Sequence, residues 1–229
     1  MSICLLTTLH DPDGKLADLT NKYFLYIRQN YDKCIIESTN PTKHSLCLDK
    51  YISYSEAGNI GESRRNCLRR GLETDCEYFH FVDFDRLLYW YMTYPEELKQ
   101  VIRLIQCDKF TIIGRTKAAF DSHPDYQRIT EGLINSLFMD GKYDVLAASR
   151  GITRHAAATI LNNSKAINPA CIDVEWCTIL LRNINYIQVN GLAYESNLLG
   201  IERVYADEVW LRTQHLVEVV RMLKKWLTL

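Results

Sequence analysis

The chain contains no C-x-x-C pair, no basic segment followed by an apolar leader core, and no apolar run approaching the ~18 residues that cross a bilayer. The first absence excludes the common zinc and thioredoxin-type frameworks. The other two point to a soluble protein of the cytoplasm, with peripheral membrane contact left open. Internal repeats, low-complexity tracts and Pro/Gly/Ser-rich linkers are also missing, so one domain is the simplest description. Charge of either sign is not in excess: 27 basic and 28 acidic residues give a formal net charge of -1. This balance provides no electrostatic reason to expect nucleic acid as a partner. Oligomeric state is not readable from the sequence.

What is present suits a folded α/β domain. Hydrophobic residues make up 47% of the 229 and charged residues 24%, enough apolar material for a substantial core. The eight cysteines sit mostly in apolar runs, such as Cys4 before Leu5-Leu6 and Cys34 before Ile35-Ile36, and read as reduced core residues. Ser2 to Thr8 reads as a strand, Leu16 to Gln29 as a helix, and Lys33 to Glu37 as a second strand closed by Ser38-Thr39-Asn40-Pro41. A helix opening at Gly58 to Gly61 then leads into a strand at 78–82. This strand, helix, strand order predicts a mostly parallel central sheet flanked by helices. Further on, helices are expected at 95–105, 124–138, 153–161, 171–182 and 207–227. Strands are expected at 110–114, 143–148 and 184–189.

The most informative segment is Tyr78-Phe79-His80-Phe81-Val82-Asp83-Phe84-Asp85. Strand side chains alternate, so an extended backbone would project Asp83 and Asp85 to one side and Phe84 to the other. Oxygen ligands on a short segment suit Mg²⁺ or Mn²⁺, which complete their shells with water and substrate phosphate. The same residues are also ordinary turn formers. Position favours a ligand role, because ligands of open parallel sheets bind outside the carboxyl ends of the strands. Just upstream, Gly61-Glu62-Ser63-Arg64-Arg65-Asn66-Cys67-Leu68-Arg69-Arg70-Gly71 places four guanidinium groups on the preceding helix. Arg65 and Arg69 share a face of it.

An arginine-bearing helix followed by a strand ending in D-x-D resembles the nucleotide-sugar-binding half of GT-A type glycosyltransferases, family-2-like, with Arg65-Asn66 in the place of an A-R-N-x-G-like motif. The resemblance covers roughly the first ninety residues. It implies a single GT-A-like, Rossmann-type domain: residues 1–90 form the nucleotide-sugar half, 91–206 the acceptor half and 207–229 a C-terminal helix. It also implies a nucleotide-diphosphate sugar donor and a Mn²⁺ or Mg²⁺ ion on Asp83 and Asp85. Thr7, Thr8 and Leu9 would line the nucleotide site, Glu37 would approach base or ribose, and Arg65 and Asp83 would sit near the nucleotide.

In the second half, Asn168 to Trp176 resembles the position where such transferases place the acid that deprotonates the acceptor hydroxyl, which implies Asp173 or Glu175 as candidates for that base. The family commonly has adjacent Glu-Asp there. Here Val174 separates the acids, which leaves open the identity of the base and the stereochemical outcome, and Asp173 could equally cap a helix. Arg115 and Arg150 follow two expected strands and offer bidentate donors to sugar or acceptor groups. The implied activity is transfer of a sugar to an unidentified acceptor. The alternatives are a module that binds nucleotide sugar or a protein without turnover, and a sugar nucleotidyltransferase. The last is disfavoured, because Thr7 to Gly14 is acidic and holds one glycine where a glycine-rich loop is expected.

Overall fold

Seven strands form one sheet in the order β3-β2-β1-β4-β6-β5-β7. The computed structural model describes residues 1–11, 13–38, 48, 51–54, 59–195 and 204–227; Thr39 to Pro41, Cys47 and Gly58 lie outside them. The strands are β1 (Ile3–Leu9), β2 (Lys33–Ser38), β3 (Ile52–Tyr54), β4 (Tyr78–Val82), β5 (Phe110–Arg115), β6 (Ser149–Thr153) and β7 (Ile184–Val189). All pair in parallel except β6, which runs antiparallel to both its neighbours, β4 and β5. The helices are α1 (Ala17–Arg28), α2 (Ile60–Glu73), α3 (Phe84–Thr93), α4 (Pro95–Leu104), α5 (Lys117–Asp121), α6 (Asp125–Leu137), α7 (Arg154–Asn163), α8 (Pro169–Ile179) and α9 (Tyr205–Leu227). No helix among the described residues is long and apolar enough to cross a membrane.

Strand alternation divides the core. Cys4, Leu6, Phe79, Phe81 and Ile112 face one side, where they pack with Cys67 and Leu68 of α2 and with Ile172 and Trp176 of α8. Ile3, Leu5, Ile36, Val82 and Ile113 face the other, against Phe24 and Ile27 of α1 and Leu87 and Trp90 of α3. A sheet buried on both faces needs near-continuous apolar strands, and β1, Ile-Cys-Leu-Leu-Thr-Thr-Leu, is buried throughout. Six of the seven described cysteines are buried and free. Burial pushes the thiols of Cys34 and Cys171 up to about 12, which keeps them protonated and inert.

Two expectations fail locally. Tyr143 to Ala148 is not a strand. Asp144 is drawn to Arg115, Val145 N–H donates to Asn135, and Ala148 takes a positive φ of 50°, which breaks the extended run. The strand begins one residue later, so Arg150, expected to follow a strand, lies within β6 (Ser149–Thr153) in the interior of the sheet. Gly151 permits this, because a Cβ there would lie 2.5 Å from the Cβ of Ile105. The second failure is after Val82, where α3 starts at once. Phe84, Leu87, Leu88 and Tyr91 have helical spacing, and the first three are buried.

Candidate functional site

The chain path reverses direction at β1: β2 lies on one side of it and β4 on the other. The crevice outside the carboxyl ends of β1 and β4 is thus the switch point of an open α/β sheet. Register fills it. Leu6 pairs with Phe81 and Thr8 with Glu37, so Glu37 and Thr8 stand side by side on β2 and β1, and Asp83 follows the end of β4 next to them. Thr8 Oγ1 donates to Asp83 Oδ1 at 2.9 Å. Glu37, 2% exposed, accepts from Arg70 of α2 at 2.8 Å.

The arginine that reaches Asp83 is Arg64, not Arg65. Asn59 caps α2 by accepting from Glu62 N–H, which sets the helix phase and turns Arg64 toward the sheet. Arg64 Nη2 donates to both Asp83 oxygens, at 3.0 and 3.2 Å, while Nη1 donates to Asp173 Oδ1 at 2.7 Å. The guanidinium is 3% exposed and lies over the Phe81 ring, 5.4 Å from its centroid. Burial alone would lower its pKa, but Asp173 and Asp83 outweigh burial and hold it above its ordinary value. Arg150 Nη2 stands 3.9 Å from Asp173. Burial pushes the Asp173 carboxyl upward against the pull of Arg64 and Arg150.

Strand alternation does not place Asp85. Asp83 is the residue before α3, with extended φ and ψ of -66° and 142°, and Asp85 lies in the first helical turn. There its carboxylate accepts from Arg86 N–H at 2.8 Å. Its pKa rises to about 6, chiefly through burial and then through Glu195, with Arg86 opposing and Asp83 adding. Glu195 is 1% exposed and paired with Arg86 Nη1 at 2.7 Å. It arrives on the turn after β7. Glu97 accepts from Asn190 N–H, Gly191 N–H and Trp90 Nε1, and the Trp90 ring lies so close to Gly191 that a Cβ would overlap it. Carboxylate oxygens held close enough to repel are the donors a hard divalent cation takes. Among the described residues no three His, Cys, Asp or Glu side chains converge to enclose a metal.

Other residues singled out from the sequence lie elsewhere. Arg65 donates to Glu62 at 3.0 Å and to Ala166 O at 2.6 Å, which turns it toward the connection between α7 and α8. Glu175 accepts from Ser164 Oγ at 2.6 Å and from the amides of Lys165 and Ala166, closing that connection. Two residues apart on α8, Glu175 and Asp173 point in divergent directions. Asn168, not Asp173, caps this helix. Arg115 is enclosed by Asp144 and Glu131. Arg150 donates to the carbonyls of Ser149 and Val145 as well as facing Asp173. Leu9 packs in the core, and Thr7 Oγ1 is buried with no partner among the described residues.

Sequence reasoning missed Arg64 and Glu195. Arg64 sat beside the chosen Arg65, and only the capped phase of α2 separates them. For Glu195 the sequence carries no local signal, because a contact between residues 97 and 190–191 delivers it. A cavity of about 570 Å³ lies at the opposite end of the sheet, beside Phe110, Thr153, Leu180 and Asn183, with Asp108 its one carboxylate among the described residues.

No protein-family model matches the chain, and no curated protein matches it. Solved structures do. One is glucosyl-3-phosphoglycerate synthase from Mycobacterium tuberculosis in complex with Mn²⁺, UDP-glucose and phosphoglyceric acid; it aligns at a TM-score of 0.61 with 10% identity, over 96% of this chain and 79% of that one. Another is mannosyl-3-phosphoglycerate synthase from Rubrobacter xylanophilus, at a TM-score of 0.57 with 14% identity, over 100% of this chain and 76% of that one. At such identities the likeness concerns architecture, and the chain has the GT-A type fold of nucleotide-sugar transferases.

Proposed function

We propose that this protein is a metal-dependent glycosyltransferase that moves a sugar from a nucleotide-diphosphate donor to an acceptor. The observation that carries the reading is the meeting of Thr8, Asp83 and Arg64 at the β1/β4 switch point, with Asp85 two residues on in the first turn of α3, on a GT-A type fold. The solved neighbours with Mn²⁺ and UDP-glucose support it by likeness of fold. Asp85, with Asp83, would hold Mn²⁺ or Mg²⁺. Such an ion, when bound, neutralises charge on the leaving diphosphate. The chain's own part is orientation. Thr8 and Arg64 hold Asp83 in one rotamer, and the buried end of β1 excludes water from one side of the crevice. Glu37, on β2 and bonded to Arg70, would approach base or ribose.

A second reading, donor binding without transfer, has one observation in its favour. Both acids considered as the base are engaged: Asp173 with Arg64, and Glu175 with the α7–α8 connection. Incubation with radiolabelled UDP-, GDP- and ADP-sugars and Mn²⁺ separates the two. Release of nucleoside diphosphate that disappears in Asp83→Ala and Asp85→Ala is the expected result. Tight donor binding with no release over long incubation selects the second reading, and neither binding nor release removes both.

A further inference from the structure

Arg64 ties three separate elements together: it sits on α2, holds Asp83 at the β4–α3 junction with one nitrogen, and holds Asp173 and the Pro169 carbonyl of α8 with another. Burying a guanidinium is costly unless its partners are good, and this one is incompletely served. Its Nε is buried and has no partner among the described residues. A purely structural ion pair would gain from being sealed, yet Asp83 keeps 26% of its side chain exposed, toward the crevice. The fork geometry explains the choice of arginine. A single ammonium cannot contact both oxygens of Asp83 and reach Asp173 on a different helix.

Resting on the donor-binding reading above, we propose that Arg64 is a positioning residue that acts through Asp83, fixing its carboxylate for the metal–diphosphate and linking that orientation to the seat of α8. Thr8 is a second donor to Asp83, at Oδ1. Together the two donors leave Asp83 one rotamer. Loss of Arg64 frees that rotamer while leaving the carboxylate in place.

A double-mutant cycle read by calorimetry tests this, with UDP, GDP and ADP each titrated in the presence of Mn²⁺. Asp83→Asn should weaken binding by about 10- to 100-fold, the range expected when a metal-site carboxylate or its support is lost. Arg64→Met should weaken it within a few-fold of the same factor. The double variant should be no weaker than Asp83→Asn alone, because a residue that works through another has nothing left to act on. Arg64→Lys, which keeps the charge but loses the fork, should recover part of the loss, to within about tenfold of wild type. If Arg64→Met does not fold, Arg64→Lys combined with Asp83→Asn closes the same cycle. Multiplying losses in the double variant, or unchanged binding in both Arg64 variants, would overturn the proposal while the donor-binding reading stands. Failure of wild type to bind any of the three nucleotides would remove both.

Discussion

Two buried arginines in this molecule each sit between two carboxylates and over an aromatic ring, yet their surroundings differ. Arg115 bonds Asp144 through Nε and Nη2, both at 2.8 Å, and Glu131 at 2.6 Å, with Phe120 beneath it. Its carboxylates are further held by Asn135, Gln127 and Arg212. Asp144 and Glu131 are 9% and 4% exposed. Burial works against the charge on Asp144, but Arg115 outweighs it and holds the carboxyl well below the usual range. Arg64 has the same chemistry with one side left open, at Asp83. A sealed cluster fixes α6 and α9 to β5. An open one presents a carboxylate, already oriented, to whatever enters the crevice. An arginine–carboxylate pair therefore marks a candidate site by what remains unsealed around it.

The largest expected effect breaks the sealed cluster. Arg115→Met leaves Asp144 and Glu131 buried without their shared cation and should cost about 3–5 kcal/mol by urea denaturation. Nucleotide binding per folded molecule should stay within about twofold, measured at a temperature where the variant is folded. A matching loss of binding would show that the two clusters are not separate.

Asp85→Ala should do the reverse, lowering donor turnover by about 100-fold or more, roughly 2.7 kcal/mol. Stability should hold or rise, because the like charge of Glu195 no longer faces it. A melting-temperature scan beside the turnover assay checks both halves. Gly191→Ala is smaller. The added Cβ collides with Trp90, so about 1–3 kcal/mol of stability should be lost. Donor binding should weaken a few-fold as the turn carrying Glu195 shifts.

The smallest effect concerns His80, buried on β4 and bonded to Tyr31 Oη at 2.7 Å and Ser149 Oγ at 3.2 Å. Burial lowers its pKa to about 3. Below pH ~6.5 the unfolded chain binds a proton that the folded chain refuses, so stability declines as pH falls from there toward 3, at up to about 1.4 kcal/mol per pH unit. Denaturation midpoints at pH 7.5 and 5.5 should converge in His80→Gln. An unchanged difference in that variant would assign the pH dependence to other groups.

Much of this architecture is legible in the sequence. Phe110–Arg115 and Ile184–Val189 announce themselves as apolar runs between turn formers, and Pro95 marks the first residue of α4. The crevice is legible too, because a parallel strand followed at once by acids constrains where ligands bind. Several of the failures share a physical cause, dependence on partners distant in sequence. Ser149 to Thr153 has no apolar signal because Gly151 must admit Ile105. Asp173 and Glu175 look alike in a string of residues, but the phase of α8 sends one to Arg64 and the other to Ser164. That Arg64 rather than Arg65 faces Asp83 is set by the Asn59 cap, five residues before the one and six before the other.

The central claim is a location: nucleotide and ion at the carboxyl ends of β1 and β4. A crystal grown with Mn²⁺ and the tightest-binding of UDP, GDP and ADP, with anomalous scattering recorded for manganese, tests it directly. The account predicts a manganese peak beside Asp85 and Asp83, with the diphosphate against it and Arg64 still bridging Asp83 to Asp173. A nucleotide seated in the cavity beside Phe110 and Thr153, or manganese bound away from α3, would contradict it.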